Sequence, residues 1–287
     1  MMKLASFNVY WLGGNQIQRT DDDLEKIAQV LARLDADVLA FQEIVGVAEL
    51  QRVLGLASDK TGRSYQLFDA ADKLLGEAKF GGQKVVVTYD RQRYGLVAAS
   101  PIYGGGKGLA FGLRLQDKAG GGQITVIGVH LKSGQPFFTD AKSAATRKKQ
   151  CQHLQDRVAG KKQAKNPVIP MPLPGEHVVI LGDFNALYWS DDPELTGVVA
   201  SLNPLREVAM AAWWWQEPLA DPAGGGRVTV YGERLLIDYV MLSPSLKNRI
   251  LQPPVIYAFD QDPETGVADE RLSDHRPVWV EIDISPP

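Results

Sequence analysis

Stretches of apolar residues alternate with polar or glycine-rich stretches along the chain, and their periods predict the first elements. Residues 3–12 are mainly apolar and end in two glycines, which predicts a strand followed by a loop. In residues 21–34, leucine and isoleucine recur at spacings of three, four and three residues, on one face of a helix. Residues 37–43 form a continuous apolar run, typical of a strand buried on both faces. Together they predict a right-handed βαβ unit with parallel strands.

The remainder of the chain is predicted to be rich in strands. Segments 83–94, 107–115 and 122–133 are strand-like and are separated by glycine-rich turns, as in an antiparallel meander. A second long helix is predicted over about 139–159. Further predicted elements are a proline-rich loop at 160–177, a short helix at 192–202, and strands at 176–187, 234–244 and 276–284.

A length of 287 residues corresponds to a prior of about two domains. The chain nevertheless has no internal repeat and no interdomain linker, so we predict a single domain over residues 1–287. No apolar run approaches the roughly 18 residues that span a bilayer, so neither a transmembrane helix nor stable membrane association is expected. The first strand begins at Lys3, so no signal peptide is expected before it; a trimmed secreted precursor looks the same, and the localisation stays open.

Composition narrows the function classes. A hydrophobic fraction of 45% and a charged fraction of 23% are ordinary for a globular protein and exclude a disordered chain or a coiled coil. Lys and Arg number 31 against 34 Asp and Glu, a formal net charge of −3. The chain therefore does not hold nucleic acid by its overall charge, although local contact with a polyanion is not excluded. The single cysteine, Cys151, excludes an intrachain disulfide and a cysteine-based zinc or iron–sulfur site.

Polar side chains interrupt the predicted strands near their carboxyl ends, where α/β sheets bind ligands. These residues are Asn8 inside the first strand, Glu43, His130, Asp183, Asn185 and Asp238, with Asp274 and His275 just before the last strand. Each of them alone has an ordinary structural explanation. Their accumulation at strand ends indicates a functional site.

Two of these segments have a structural and a functional interpretation. Asp183 and Asn185 are two residues apart, so on a strand they point to the same side, but they also suit an ordinary turn that ends a strand. Asp238 shares a strand face with Leu236 and Val240 and is predicted to be buried. A buried carboxylate requires a partner or a metal, and bonds to backbone amides are the structural alternative.

Six segments that contain these residues resemble, in chain order, the signature segments of the endonuclease/exonuclease/phosphatase superfamily. They are SFNVYWL, DVLAFQEI, VIGVHLKS, VVILGDFNAL, LLIDYVMLSP and LSDHRPVWVEI, and the match extends over roughly residues 3–284. The superfamily includes pancreatic-type deoxyribonucleases, abasic-site endonucleases, bacterial sphingomyelinases and inositol polyphosphate phosphatases. The resemblance implies a four-layer α/β sandwich, in which two mixed β-sheets pack face to face with helices outside. It also implies hydrolysis of a phosphate ester that depends on Mg²⁺ or Mn²⁺.

The resemblance implies a metal site and a water site. Glu43 matches the metal-binding glutamate of the superfamily, and Asn8 and Asp274 match its neighbours around the metal. Asp183 and Asn185 match the pair that orients the attacking water and holds the phosphoryl oxygens. These residue types suit the chemistry, because a hard divalent cation prefers oxygen ligands and a carboxylate near water can accept its proton.

The resemblance also implies two histidine positions. Asp238 and His275 match a paired aspartate and histidine, and His130 matches a second histidine of the nuclease and sphingomyelinase branches. A histidine that a buried aspartate keeps charged can donate hydrogen bonds to phosphate oxygens. All three residues are therefore predicted to be catalytic.

Three basic residues are predicted to bind substrate. Lys132 follows the histidine strand, and Arg147 with Gln150 resembles a pair of the nuclease branch, although a solvated helix face explains both equally well. Lys107 stands one residue out of register with a position where many nuclease-branch members carry arginine. The run Trp213–Trp215 either covers the core or forms a platform for a base or a lipid.

The sequence and its resemblance together predict a nuclease, a metal-dependent phosphodiesterase for DNA or RNA, with Mg²⁺ or Mn²⁺ as cofactor and no obligate protein partner. The alternative enzyme is a phosphatase or phosphodiesterase for a lipid or a small phosphoester, sphingomyelinase-like or inositol-phosphatase-like. A catalytically silent binding module is a third hypothesis, which the presence of every metal and base position disfavours. Assays on DNA, RNA, sphingomyelin and inositol phosphates, with metal and with chelator, distinguish the three.

Overall fold

The computed structural model of the protein describes residues 1–67, 83–104, 107–133, 141–158, 177–185, 189–190, 214–216, 220, 229–230, 235–265 and 271–286. The first seven strands are β1 (Met2–Leu12), β2 (Val38–Ile44), β3 (Tyr65–Leu67), β4 (Lys84–Asp90), β5 (Tyr94–Gly104), β6 (Lys107–Asp117) and β7 (Gln123–His130). The others are β8 (His177–Asp183), β9 (Trp189–Ser190), β10 (Trp214–Gln216), β11 (Leu235–Leu236), β12 (Asp238–Leu242), β13 (Ile250–Ile256) and β14 (Val278–Ile282). The helices are α1 (Asp21–Leu34), α2 (Val47–Thr61) and α3 (Ala141–Val158), with 3₁₀ turns at Pro244–Leu246 and Phe259–Gln261.

Twelve of these strands form two mixed six-stranded sheets. The first sheet has the order β13-β14-β1-β2-β4-β3, and the second has the order β10-β12-β8-β7-β6-β5. The β1–β2 and β7–β8 pairs are parallel, and the other pairs within these two sheets are antiparallel. β9 and β11 form a separate two-stranded sheet.

The predicted strand–helix–strand unit at the start of the chain is confirmed. β1 and β2 are parallel neighbours, with Leu4 opposite Val38. α1 begins after Thr20, whose hydroxyl accepts a hydrogen bond from the Asp23 N–H, while the Asp23 carboxylate accepts one from the Thr20 N–H. This reciprocal pair satisfies amide groups that the first turn of a helix leaves without partners. α1 thus has a defined start and buries its leucine and isoleucine face.

The two large sheets pack face to face around a shared core. Gly128 of β7 lies against the first sheet, where a Cβ atom added to it would be 3.1 Å from the Ala40 Cβ and 3.0 Å from the Val87 Cγ2. A glycine at this position therefore allows the sheets to approach closely. α1 and α2 pack against each other, α2 contacts β3 and α3 contacts β5. The predicted four-layer α/β sandwich is confirmed.

The middle of the chain differs from the predicted meander. Segment 83–94 is not one strand, because β4 ends at Asp90, residues 91–93 form a turn and β5 begins at Tyr94. β4 pairs with β2 and β3 in the first sheet, whereas β5, β6 and β7 are successive antiparallel neighbours in the second. The prediction that segments 83–94 and 107–115 are adjacent strands is therefore wrong. The segments on both sides of the turn are apolar enough to be buried in either sheet. The chain crosses from the first sheet to the second at this turn.

Other elements follow the predictions with shifted ends. α3, β8 and β14 correspond to the predicted segments 139–159, 176–187 and 276–284, and segment 234–244 forms β11 and β12 with a break at Ile237. α2, β3, β9, β10 and β13 were not predicted, and β5 was predicted only at its first residue. The predicted short helix at 192–202 and the proline-rich loop, apart from His177, lie outside the described residues. Within the described part of the chain, no helix is long and apolar enough to cross a membrane.

Candidate active site

Strand register alone brings three of the predicted site residues together in the second sheet. β7 and β8 are parallel and end together, with His130 opposite Asp183. On the other side of β8, the antiparallel β12 begins at Asp238, also opposite Asp183. Asp183 therefore lies between a histidine and a second aspartate at the carboxyl end of β8.

Asn8 connects this row to the first sheet. Its side-chain amide nitrogen donates to the Glu43 Oε1 and to the Asp183 Oδ2, both at 3.2 Å, and lies 3.5 Å from the His275 Nε2. The Asn8 Oδ1 accepts a hydrogen bond of 3.1 Å from the Tyr10 N–H, which fixes the orientation of the amide. The predicted metal, water and histidine positions thus meet around one fully buried amide.

The backbone at this edge adopts conformations that non-glycine residues rarely adopt. Glu43, the penultimate residue of β2, has a φ of +60°, and Asn185, two residues after β8, has a φ of +48°. The left-handed region costs a non-glycine residue about 1–2 kcal/mol. Such strain is characteristic of functional sites, where the surrounding structure holds it in place.

Asp183 is buried among neutral and histidine partners. Its Oδ1 accepts a hydrogen bond of 2.8 Å from the Asn185 N–H, and its Oδ2 lies 3.5 Å from the His130 Nε2. The strand ends at Asp183, so Asn185 does not continue its alternation. The Asn185 side-chain amide donates to the Leu131 carbonyl. Burial, and the charge of Asp238, raise the pKa of Asp183 to about 7.

Asp238 and His275 form the predicted pair. The His275 Nδ1 lies 2.8 Å from the Asp238 Oδ2, and both side chains are buried. Burial by itself lowers the pKa of His275, but the charge and hydrogen bond of Asp238, together with the charge of Asp183, raise it well above the ordinary value. His275 is therefore a cation at neutral pH, and its Nε2 faces Asn8 and Asp183 at 3.5 Å and 4.0 Å.

The ligand atoms at Glu43 fit a divalent metal ion. Glu43, His130 and Asp183 each offer one ligand atom, and these atoms lie within 4.8 Å of one another. The His130 Nε2 is 3.8 Å from the Glu43 Oε1 and 3.5 Å from the Asp183 Oδ2. Carboxylate oxygens suit Mg²⁺ and Mn²⁺, whereas an imidazole nitrogen suits transition metals such as zinc or iron. Burial raises the pKa of Glu43 and lowers that of His130, which favours the uncharged form of each. The neutral imidazole is the form that binds a metal, whereas Glu43 binds one as the carboxylate.

Asp274 has a different setting from the other predicted metal neighbours. Its Oδ1 lies 3.9 Å from the His275 Nε2, and its side chain is partly exposed. The structure brings it beside His275, whereas His130 completes the group with Glu43 and Asp183. The participation of Asp274 and Asn8 in metal binding stays a prediction.

The predicted substrate-binding residues differ in exposure. Lys132 is exposed, its N–H donates to the Gln150 Oε1 at 2.9 Å, and its carbonyl accepts from the Arg147 Nη1 at 2.9 Å. Arg147 is only 1% exposed, so its guanidinium holds the backbone after His130. Its contact with substrate stays a prediction. The Lys107 side chain and the side chains of Trp213–Trp215 lie outside the described part of the structure.

Sequence reasoning missed three residues that hold the site in place. Gln83, just before β4, donates from its Nε2 to the Glu43 Oε2 at 2.8 Å. The Ser273 hydroxyl donates to the Asn8 carbonyl at 2.5 Å and accepts from the His275 N–H at 2.9 Å. The Thr229 hydroxyl accepts from the N–H groups at the break between β11 and β12, at 3.1 Å and 3.3 Å. Only Ser273 carried a signal, because it lies in the LSDHRPVWVEI segment.

Comparison with known proteins adds a family match and a set of similar folds. A profile of the Endonuclease/Exonuclease/phosphatase family matches residues 5–275. No curated protein sequence matches the chain. Among solved structures, beta toxin from Staphylococcus aureus is similar at 18% identity with a TM-score of 0.60, over 99% of this chain and 100% of that chain.

Two further structures have the same fold at 15% identity and a TM-score of 0.58, over 99% of this chain. They are a mannosyl-6-phosphatase from Bacteroides thetaiotaomicron, matched over 100% of its chain, and the human nocturnin catalytic domain with bound sulfate, matched over 94%. At these identities the similarity concerns the fold.

Proposed function

This chain belongs to the endonuclease/exonuclease/phosphatase family, whose members hydrolyse phosphoester bonds, and we propose that it is a divalent-metal-dependent nuclease that cleaves DNA or RNA. The observation that carries the proposal is the position of Asp183. This buried carboxylate, with a pKa of about 7, lies between Asn8, His130 and the His275–Asp238 pair. It is poised to take up and release a proton near neutral pH, as a general base requires.

Each group in the site has a proposed part in the hydrolysis of a phosphodiester. Glu43, with Asn8 and Asp274 as predicted neighbours and His130 within reach, would hold the metal, which polarises a phosphoryl oxygen and shields developing negative charge. Asp183 accepts the proton of the attacking water at a carboxylate oxygen, and Asn185 holds Asp183 in place through its N–H.

The two histidines act on the phosphate itself. His275, kept cationic by Asp238, donates from its Nε2 to the phosphoryl oxygens as negative charge accumulates on them. His130 faces the same space from β7, with its Nε2 3.8 Å from the Glu43 Oε1. A second histidine at this position supports a phosphodiester rather than a monoester substrate, because the resemblance places it in the nuclease and sphingomyelinase branches.

Two exposed lysines support a substrate that carries a chain of phosphates. Lys132 is exposed two residues after His130, and Lys149 is exposed on α3. Arg147 is buried, which removes one of the cations expected to meet a polyanion, and the formal net charge is −3. These two facts favour the second candidate function, hydrolysis of a lipid or small phosphoester.

A substrate comparison tests the proposal. Plasmid DNA, RNA, sphingomyelin vesicles, inositol phosphates and mannose 6-phosphate are offered with Mg²⁺, Mn²⁺ or chelator. We expect cleavage of a polynucleotide that chelator abolishes and that Asp183→Asn abolishes, whereas the control Asp59→Asn, at an exposed position of α2, retains it. Release of phosphate or phosphocholine from a small or lipid ester, with no polynucleotide cleaved, replaces the nuclease by the second candidate. No hydrolysis of any substrate with either metal favours a binding module.

A further inference from the structure

Arg19 lies in the loop between β1 and α1, and its guanidinium binds the backbone directly after Asn8. The Arg19 Nη2 donates to the carbonyl of Val9 at 2.9 Å and to the carbonyl of Tyr10 at 2.7 Å. Sequence reasoning gave no signal for this residue, since it lies outside every strand-end segment.

The same guanidinium binds a second segment, more than 250 positions later in the chain. The Arg19 Nε donates to the Arg271 carbonyl, and its Nη2 lies 3.5 Å from the Leu272 carbonyl. This segment continues into Asp274 and His275. One side chain therefore joins the backbone that carries Asn8 to the backbone that carries two other candidate site residues.

The backbone at the end of β1 requires hydrogen-bond donors from outside the sheet. Tyr10 and Trp11 have φ values of +38° and +57°, and the pairing of β1 with β2 shifts register between Asn8 and Leu12. A bulge of this kind takes carbonyl groups out of the regular ladder, and buried carbonyls require other donors. Arg19 supplies donors to two of them.

We propose that Arg19 is a positioning residue for the hydrolytic site, which fixes the end of β1 against the 271–275 segment and thereby sets the placement of Asn8 relative to His275. The inference rests on the proposed function of that site. A planar guanidinium has five N–H donors in a fixed fork, whereas lysine is a single point charge, so Arg19→Lys does not reproduce the bridge. Burial lowers the pKa of Arg19 to about 10, opposed by Asp23 and Asp274, so the bridge is cationic at neutral pH.

Loss of Arg19 is expected to loosen the site without unfolding the protein. Ser273 makes an independent tie between the same two segments, from the Asn8 carbonyl to the His275 N–H. A shift of about 1 Å in a catalytic group costs on the order of 10²-fold in rate. We therefore expect Arg19→Lys and Arg19→Gln to lower kcat about 10- to 100-fold with little change in KM.

Kinetics and chemical rescue form the first test. The matched control is Arg52→Gln, which removes an exposed arginine whose Nη1 bonds to Asp21 at 2.7 Å on the helical face. Arg19→Ala opens space beside a cavity of about 360 Å³ that Arg19 lines with Gly13, Asn15 and Glu49. Millimolar guanidinium is expected to restore several-fold of the lost kcat in Arg19→Ala and none in Asp183→Asn. Unchanged kcat per folded molecule in Arg19→Lys and Arg19→Gln, with only a lower Tm, overturns the proposal.

A second readout separates this inference from the proposed function. The chain has four histidines, His130, His153, His177 and His275, so their imidazole nitrogen signals are resolvable by NMR. In Arg19→Lys we expect the His275 signals and the Asn8 side-chain amide signals to move, while those of His153 and His177 stay in place. If the wild type hydrolyses none of the substrates while these signals still move in Arg19→Lys, the positioning role stands and the proposed function fails. If hydrolysis is observed and neither kcat nor these signals change, Arg19 has no positioning role.

Discussion

The side chains of Asp183, in the site, and of Asp260, in the second 3₁₀ turn, are each only 2% exposed, but their partners differ. Asp260 accepts two hydrogen bonds of 2.6 Å from the guanidinium of Arg276, the residue after His275. Burial alone raises the pKa of Asp260, but the bonds from Arg276 and Gln261 hold it below the ordinary value. Among the described residues, no arginine or lysine contacts Asp183, and burial raises its pKa to about 7.

The comparison shows two uses of a buried carboxylate in one fold. A bidentate arginine keeps Asp260 charged at neutral pH and ties a 3₁₀ turn to the segment before β14 that carries His275. Asp183 instead has amide and histidine neighbours, so its proton is lost and regained near neutral pH. Pairs of similar groups whose environments separate their pKa values identify the residue that carries acid–base chemistry.

The largest effect is expected for Asp183→Asn. The substitution keeps the shape and removes the base, so hydrolysis should fall on the order of 10²- to 10⁴-fold. Because the substitution removes a buried carboxylate that has no cationic lysine or arginine in contact among the described residues, the protein should remain folded with an unchanged or higher Tm. Steady-state kinetics and thermal unfolding of the same sample check this. A Tm lowered by several degrees with normal turnover per folded molecule would assign Asp183 a structural role.

Asp260→Asn is the counterpart and should act on stability. Removing one partner of a buried ion pair leaves Arg276 buried without its anion, which costs about 3–5 kcal/mol. Denaturant unfolding measures the loss, and Asp59→Asn on the exposed face of α2 serves as the control. Turnover per folded molecule should change far less than in Asp183→Asn. A rate loss as large as that of Asp183→Asn, at unchanged stability, contradicts the division of roles.

Glu43→Gln tests the metal site next to this comparison. The substitution keeps the size and shape of the side chain but removes the negative charge. The Glu43 carboxylate accepts hydrogen bonds from the Asn8 Nδ2 at 3.2 Å and from the Gln83 Nε2 at 2.8 Å. Loss of a partner of a metal ligand typically costs 10- to 100-fold in metal affinity, so loss of the ligand should cost at least about tenfold. Titration of metal binding and activity at limiting Mg²⁺ or Mn²⁺ check this, with the exposed Glu264→Gln as control. Full activity at limiting metal excludes Glu43 as the ligand.

The contributions of Asp183 and Asp260 to the free energy of unfolding should change with pH in opposite directions. The folded pKa of Asp183 is raised, so its stabilising contribution is complete below about 3.8 and is lost as the pH rises through about 7. The folded pKa of Asp260 is lowered, so its contribution is present above about 3.8 and is lost at more acid pH. The Tm of Asp183→Asn minus that of the metal-free wild type should therefore increase from pH 4 to pH 7. The increase should be about 2–4 °C for each kcal/mol by which the wild type loses free energy of unfolding. A gap that shrinks over this range contradicts the raised pKa.

The sequence predicted most of the polar groups of the site, because each one interrupts an apolar run inside a strand or lies directly beside one. Asn8, Glu43, Asp183, Asp238 and His275 are all of this kind, and the structure brings them together. Arg19, Gln83 and Thr229 were not predicted. Each lies outside the six motif segments and acts through hydrogen bonds to other parts of the backbone or to another side chain, which the sequence pattern does not show. The crossing from β4 to β5 was missed for a related reason, because an apolar segment suits either sheet and tertiary packing decides which one it joins.

The smallest effect is expected from the surface lysines, and it bears on the substrate. Lys132, two residues after His130, and Lys149, on α3, are exposed, so Lys132→Ala with Lys149→Ala should weaken binding of a polynucleotide and lower the salt slope of log K by about 1 for each lost phosphate contact. The control, Lys26→Ala with Lys60→Ala, removes two lysines paired with acidic residues on α1 and should leave the slope unchanged. The salt slope is measured in the catalytically inactive Asp183→Asn background, so that hydrolysis does not affect the measured binding. An unchanged slope places the phosphate contacts elsewhere, and a shallow slope for every polynucleotide favours a small or lipid phosphoester.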